Sequence, residues 1–194
     1  METRLAREAR KLSFSHKQRM LLIGSLLGDG YLDKTTRGYS LRIHHGIIQK
    51  EYVDYKYSLI KSFVNSKPKR SGKAYYFRTI SHPFLTELRS VFYVKQKKIL
   101  PKDFLVNLDS FGLAIWIMDD GSADGNQLRI NTQSFTFAEN LWLIHFLQAK
   151  FGIMATINQD KGKYRLRLKA SSMNLLKELV LSYMIPSMLY KLSP

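Results

Sequence analysis

Two stretches of this chain follow one pattern, and that duplication limits the folds open to it more than any other feature. Residues 22–30 are echoed by 113–121, each an apolar run ending in Asp-Gly. A strand-like piece comes next in each case, 39–44 and 127–131, sharing Leu-Arg-Ile, and then a long helix-like stretch, about 49–64 and 137–151. The two halves also close alike, with Lys97-Lys98-Ile99-Leu100-Pro101 and Tyr190-Lys191-Leu192-Ser193-Pro194. Corresponding residues lie 91 positions apart for Asp29 and Asp120, 87 for Leu41 and Leu128, and 93 for Lys98 and Lys191, so small loop differences relate the copies. Four matches in one order define a unit of about ninety residues used twice. We read 1–13 as a basic N-terminal segment, 14–105 as the first half and 106–194 as the second.

Local signals give each unit its elements. Ser15 with Gln18 forms a capping-box pair ahead of the first apolar run, Asp109 or Ser110 can cap the second, and Gly30 and Gly121 suit helix termination. Thr136 with Glu139 opens the helix near Phe137. Residues 154–158 and 164–169 alternate with period two and predict a hairpin around Lys161-Gly162, matched in the first half by Lys67-Pro68-Lys69 and 73–80. Each unit therefore reads αββαββα. The expected class is α+β, with antiparallel sheets and a pseudo-twofold axis between the units.

Thirty-one Lys and Arg face 15 Asp and Glu, a formal charge of +16. A compact domain carrying that excess repels itself, which points to a polyanionic partner, nucleic acid first. The absence of cysteine excludes disulfide scaffolds, thiolate zinc sites, iron–sulfur clusters and cysteine nucleophiles, so a metal must bind through oxygen or imidazole. No apolar run reaches the roughly 18–20 residues of a membrane span, and residues 1–11 carry charges where a secretory signal has an apolar core. A soluble, non-secreted protein with no membrane partner is expected, in an organelle (mitochondrion or chloroplast) or a prokaryotic cytoplasm.

The alternation also says which sheet face meets the polyanion. In Lys163-Tyr164-Arg165-Leu166-Arg167-Leu168-Lys169 every odd position is basic and every even one apolar, so one face packs on helices while the other presents four cations. By the same rule Leu128 and Ile130 point inward while Gln127, Arg129 and Asn131 point out, and Leu41 and Ile43 go in while Ser40, Arg42 and His44 go out. Lys67, Lys69, Arg70, Lys73 and Arg78 of the first-half hairpin and Asn158 of the second complete the expected nucleic-acid surface. Its mixture of Arg, Gln, Asn and His suits base edges as well as phosphates.

Asp29 and Asp120 are rare acids in a basic chain, identically placed in the two copies. A carboxylate at a helix C-terminus is wrong for the helix dipole, and a bound cation would repair the mismatch. If the two helices pack about the pseudo-twofold axis, both carboxylates arrive at one place, where hard divalent ions prefer oxygen ligands. Gly24 and Gly28 would allow close approach, with Ala114 as the best small residue on the partner helix.

The paired runs ending in Gly28-Asp29-Gly30 and Asp119-Asp120-Gly121 resemble the motifs of the LAGLIDADG homing endonucleases in their single-chain, two-motif form. Residues 113–121, 131–137 and 185–192 are similar to the yeast mitochondrial intron-encoded members. The resemblance implies a DNA-binding saddle built from the two sheets and metal-dependent double-strand cleavage of DNA at a long recognition site. It implies Asp29 and Asp120 as the metal-binding catalytic acids; either Asp119 or Asp120 could be the second ligand, and the shared following glycine favours Asp120, with the carbonyls of Gly28 and Asp119 as further ligands. It places Lys98 and Lys191 beside the scissile phosphates and Gln133 as an orienter of water, with His45 or Gly46 as its first-half counterpart. Mg²⁺ is the implied cofactor, with Mn²⁺ or Ca²⁺ at the same sites. The implied partner is double-stranded DNA, bound by a monomer. Two alternatives remain, an RNA-binding intron maturase whose partner is structured intron RNA, and a DNA-binding protein without cleavage.

Overall fold

The computed structural model describes residues 4–160 and 162–192. Lys161 at the expected hairpin tip, Ser193-Pro194 of the closing motif and the first three residues of the N-terminal segment lie outside the described residues.

After a short helix α1 (Arg4–Ala9), the first unit runs α2 (His16–Leu27), β1 (Tyr31–Thr35), β2 (Gly38–Gly46), α3 (Lys50–Ile60), β3 (Lys69–Ser71), β4 (Ala74–Arg78) and α4 (Pro83–Phe92). A small hairpin, β5 (Tyr93–Val94) and β6 (Lys97–Lys98), and helix α5 (Lys102–Leu105) lead into the second unit. That unit repeats the order with α6 (Ser110–Asp120), β7 (Gly121–Asp124), β8 (Gln127–Ile130), α7 (Phe137–Phe151), β9 (Ala155–Asp160), β10 (Lys163–Leu168) and α8 (Met173–Val180), ending in a 3₁₀ stretch Pro186–Lys191. The two four-stranded antiparallel sheets have the same topology, β1-β2-β4-β3 and β7-β8-β10-β9. The fold is α+β, an αββαββα unit used twice.

Capping side chains set the helix starts. Ser15 accepts from Gln18 N and Thr136 from Glu139 N, each within a complete capping box, and Asp109 accepts from Gly112 N. The central helices are sheathed on every side, with 20–27 buried in α2 and 111–119 in α6. Helices apolar all round belong at the centre of a protein, and the two pack on each other there. Leu41, Ile43, Leu128, Ile130, Leu166 and Leu168 point from the sheets into the same core.

Candidate active site

Glycines decide how closely α2 and α6 approach. A Cβ on Gly24 would lie 2.5 Å from the Gly112 carbonyl oxygen, and one on Gly28 only 2.4 Å from Asp119 Cβ. The small residue that faces Gly24 is therefore Gly112 rather than Ala114. Helix α2 is capped at Gly28, whose N–H donates to Gly24 O at 3.2 Å, so the cap falls two residues before Gly30. Asp29 lies just past this cap and Asp120 is the last residue of α6.

Both carboxyls open into one basin of about 500 Å³, which Lys98, Asn131, Gln133 and Arg165 also line. Burial, and then the charges of Asp29 and Asp119, push Asp120 up to about 8. Asp29 is raised by burial and by Asp119. Two carboxyls whose charged form burial disfavours, even with the Lys98 and Lys191 ammoniums nearby, form a donor set that fits a hard divalent cation.

A lysine sits at each helix end. Lys98 Nζ donates to Gly28 O at 2.8 Å and Gly30 O at 3.2 Å, and Lys191 Nζ donates to Asp119 O at 3.2 Å. The ammoniums thus complement the negative ends of the two helices. They hold the two carbonyls expected as metal ligands, which a cation would have to share. Burial lowers the pKa of Lys98, against the opposing pull of Asp120, Asp119 and Asp29. Lys98 is carried by the β5–β6 hairpin, whose turn residue Lys95 has a left-handed φ of 55° and whose Lys95 carbonyl accepts from Arg89. Lys191 ends the 3₁₀ stretch that begins at Pro186.

Packing separates the two neighbouring acids of the second motif. The Asp119 side chain is fully buried and binds Lys56 Nζ at 2.6 and 2.9 Å, leaving Asp120 to face the basin. Asp29, His45 and Asp119 bring ligand atoms within 4.8 Å of one another, but the Lys56 ammonium already occupies the cation position on Asp119. His45 is buried, with Nδ1 3.0 Å from Gln49 Oε1, and burial and the Lys56 charge lower it to about 4. It is a neutral ring beneath the basin. The strand registers set Ile43 and Ile130 as equivalents, which aligns Gly46, without a side chain, with Gln133. With its amide oxygen toward Arg165, Gln133 accepts from both Nη2 and Nε, at 2.5 and 2.6 Å.

Most of the expected nucleic-acid residues are solvent-accessible. His44, Lys67, Lys69, Lys73, Arg78, Asn131, Lys163 and Lys169 are exposed, and Arg42, Gln127, Arg129, Asn158, Arg165 and Arg167 are half-buried. Two depart from expectation. Ser40 is buried at 1% exposure, at the floor of a cleft that Thr35, Arg37, Arg78 and Ser81 also line. Arg70 is exposed, but it pairs with Tyr75, which in turn pairs with the buried His45, so it falls on the helix side of the sheet, where its Nε donates to Gly72 O. The four alternating cations of 163–169 are also not equally available. Arg167 binds Asp124, which binds Arg129 at 2.9 Å.

Three residues that pair with the expected site residues escaped the sequence reading. Lys56 could have been found as a lysine on the apolar stripe of Tyr52, Val53 and Ile60. Asp33 and Asp124 carried the same 91-residue spacing as Asp29 and Asp120.

Comparison with known proteins agrees with this geometry. Residues 19–176 match the model of the LAGLIDADG DNA endonuclease family. The chain is 30% identical to "Cytochrome b mRNA maturase bI2" of Debaryomyces hansenii, over 89% of this chain and 72% of that one; it spans 46% of the Saccharomyces cerevisiae protein of the same name. Its fold superposes on the homing endonuclease I-WcaI bound to its DNA recognition sequence with a TM-score of 0.88 and 28% identity, covering 98% of this chain and 93% of that one. A more distant fold neighbour, I-DmoI in complex with DNA and Mn, has a TM-score of 0.55 at 18% identity, covering 88% of this chain and 99% of that one. Among the described residues no helix is long and apolar enough to cross a membrane.

Proposed function

The chain belongs to the LAGLIDADG DNA endonuclease family, and from that premise we propose that it is a homing endonuclease that makes metal-dependent double-strand breaks at a long DNA site. The observation that carries the reading is the convergence of Asp29 and Asp120 on one basin, with a lysine ammonium at the end of each motif helix. Residues 14–105 and 106–194 act as the two half-site modules, each sheet lying along one half of the duplex. Asp29 and Asp120 hold Mg²⁺, or Mn²⁺ or Ca²⁺ in its place. When bound, such an ion supplies Lewis acidity toward the phosphate and a more acidic water. Lys98 and Lys191 offer positive charge to the pentacoordinate phosphate, and Gln133, held by Arg165, orients water on the second-half side. Arg42, Arg78, Arg129, Arg165 and Arg167, with the exposed lysines, bind the duplex. The protein works as a monomer, because one chain carries both motifs. The cytochrome b mRNA maturase name of the fungal relatives supports an organellar setting. The maturase name of those relatives supports a second reading, an RNA-splicing role on the same basic surface.

The test is cleavage of a randomised plasmid pool with Mg²⁺ and with chelator. Metal-dependent double-strand breaks at one selected sequence are expected. Asp29→Asn and Asp120→Asn should each abolish them while keeping DNA affinity within about threefold, since the change removes one carboxylate charge and no phosphate contact. Full cutting by either variant rejects that residue's assignment.

A further inference from the structure

The sheet surfaces are basic, yet both have an aspartate at the equivalent place, and each of these two joins two arginines. In the first sheet Asp33 Oδ2 lies 2.7 Å from Arg78 Nη2 and 3.6 Å from Arg42 Nε. In the second, Asp124 Oδ2 accepts from Arg129 Nη2 at 2.9 Å, from Arg167 Nε at 2.7 Å and from Arg167 Nη2. The arginines are direct cross-strand neighbours, Arg42 opposite Arg78 and Arg129 opposite Arg167. Asp33 and Asp124 are separated by the same 91 positions as the two basin acids, so the clasp belongs to the duplicated unit.

A carboxylate on a surface meant for phosphates costs affinity, so its presence twice calls for a gain elsewhere. Clamping restricts an arginine's rotation and leaves its remaining N–H groups aimed in one direction, which suits bidentate donation to guanine O6 and N7. It also neutralises part of the charge that would otherwise bind any phosphate. Donation from Arg167 and Arg129 holds Asp124 below the usual carboxylate range, so this clasp stays ionised.

We propose that Asp33 and Asp124 are positioning residues for sequence readout, each fixing two arginines against guanine-containing steps at pseudo-symmetric positions of the two half-sites. This rests on the endonuclease reading above. The test selects bound and cut sites from a randomised duplex pool with the full chain, Asp33→Asn and Asp124→Asn, alongside thermal unfolding and the salt slope of binding. Each variant should lose roughly tenfold in base discrimination at a guanine cluster in one half-site only, the opposite half-site for each variant. Its total affinity should be unchanged or higher. Combining Asp124→Asn with Arg167→Lys should add little to the loss from either. Unchanged preference in both variants, or loss spread evenly over the site, overturns the positioning role while leaving the endonuclease reading intact. A pool from which the unaltered chain selects no sequence overturns both.

Discussion

Lys56 and Asp119 form an ion pair from which water is fully excluded, directly beneath the basin. Breaking such a pair strands one charge in the core. Lys56→Met should therefore cost about 3–5 kcal/mol, and adding Asp119→Ala should recover at least half of that. Urea unfolding of the single and double variants checks it; an additive double variant would show that the two charges do not depend on each other. His82 gives a cleaner titration. Its Nδ1 accepts from Phe84 N at the start of α4, and its Nε2 reaches Leu12 O at 2.9 Å. Burial, with Arg10's charge adding, lowers its pKa from the ordinary value of about 6.5. Below that value the unfolded chain takes up a proton that the folded chain refuses, so this contribution to stability is full above pH 6.5 and is lost as pH falls through the folded pKa. His82→Asn keeps an acceptor for Phe84 N but cannot titrate. Between pH 7 and pH 5 it should lose less stability than the unaltered chain, and equal losses would remove His82 from the acid sensitivity.

At the scale of elements, the α2–α6 crossing is the feature on which the site depends. A methyl group at Gly24 meets the Gly112 carbonyl at 2.5 Å, and backbone cannot turn aside as a side-chain tip can. Gly24→Ala should cost about 1–3 kcal/mol through overpacking. It should also lower cleavage more than DNA binding, because displacing one helix moves Asp29 relative to Asp120 while leaving the sheet faces in place. Chemical denaturation together with paired cleavage and binding assays checks this, and equal loss of both activities would mean that the crossing supports the whole fold rather than the acids. The helices themselves were readable from Ser15, Asp109 and Thr136 and from the apolar runs, because caps and periodicity involve residues a few positions apart. The β5–β6 hairpin was not readable, since two-residue strands leave no alternation to detect and its turn uses Lys95 instead of glycine at a left-handed φ.

Over the whole molecule, the net charge of +16 is tempered where it matters. Asp33 and Asp124 each offset part of the charge of two arginines on the sheet faces, while the lysines around them remain exposed. Neutralising six or more phosphates should give a plot of log affinity against log salt with a slope of about −5 or steeper. Fluorescence anisotropy on the selected duplex between 50 and 200 mM salt measures it, and a slope shallower than about −2 would confine the contacts to a few residues.

The sequence by itself determined the duplicated αββαββα unit, the inward and outward faces of its main strands, the two motif acids and the basic sign of the chain's own charge. All of these are written in spacings and alternations along the chain. Only the tertiary structure decided that Asp119 is buried while Asp120 faces the basin, that Lys56, 63 positions from Asp119, neutralises it, that Ser40 is covered, and that paired arginines share one aspartate on each sheet. Those outcomes depend on how helices rotate and strands register against distant partners. Two adjacent aspartates at a helix end are chemically identical until packing buries one of them.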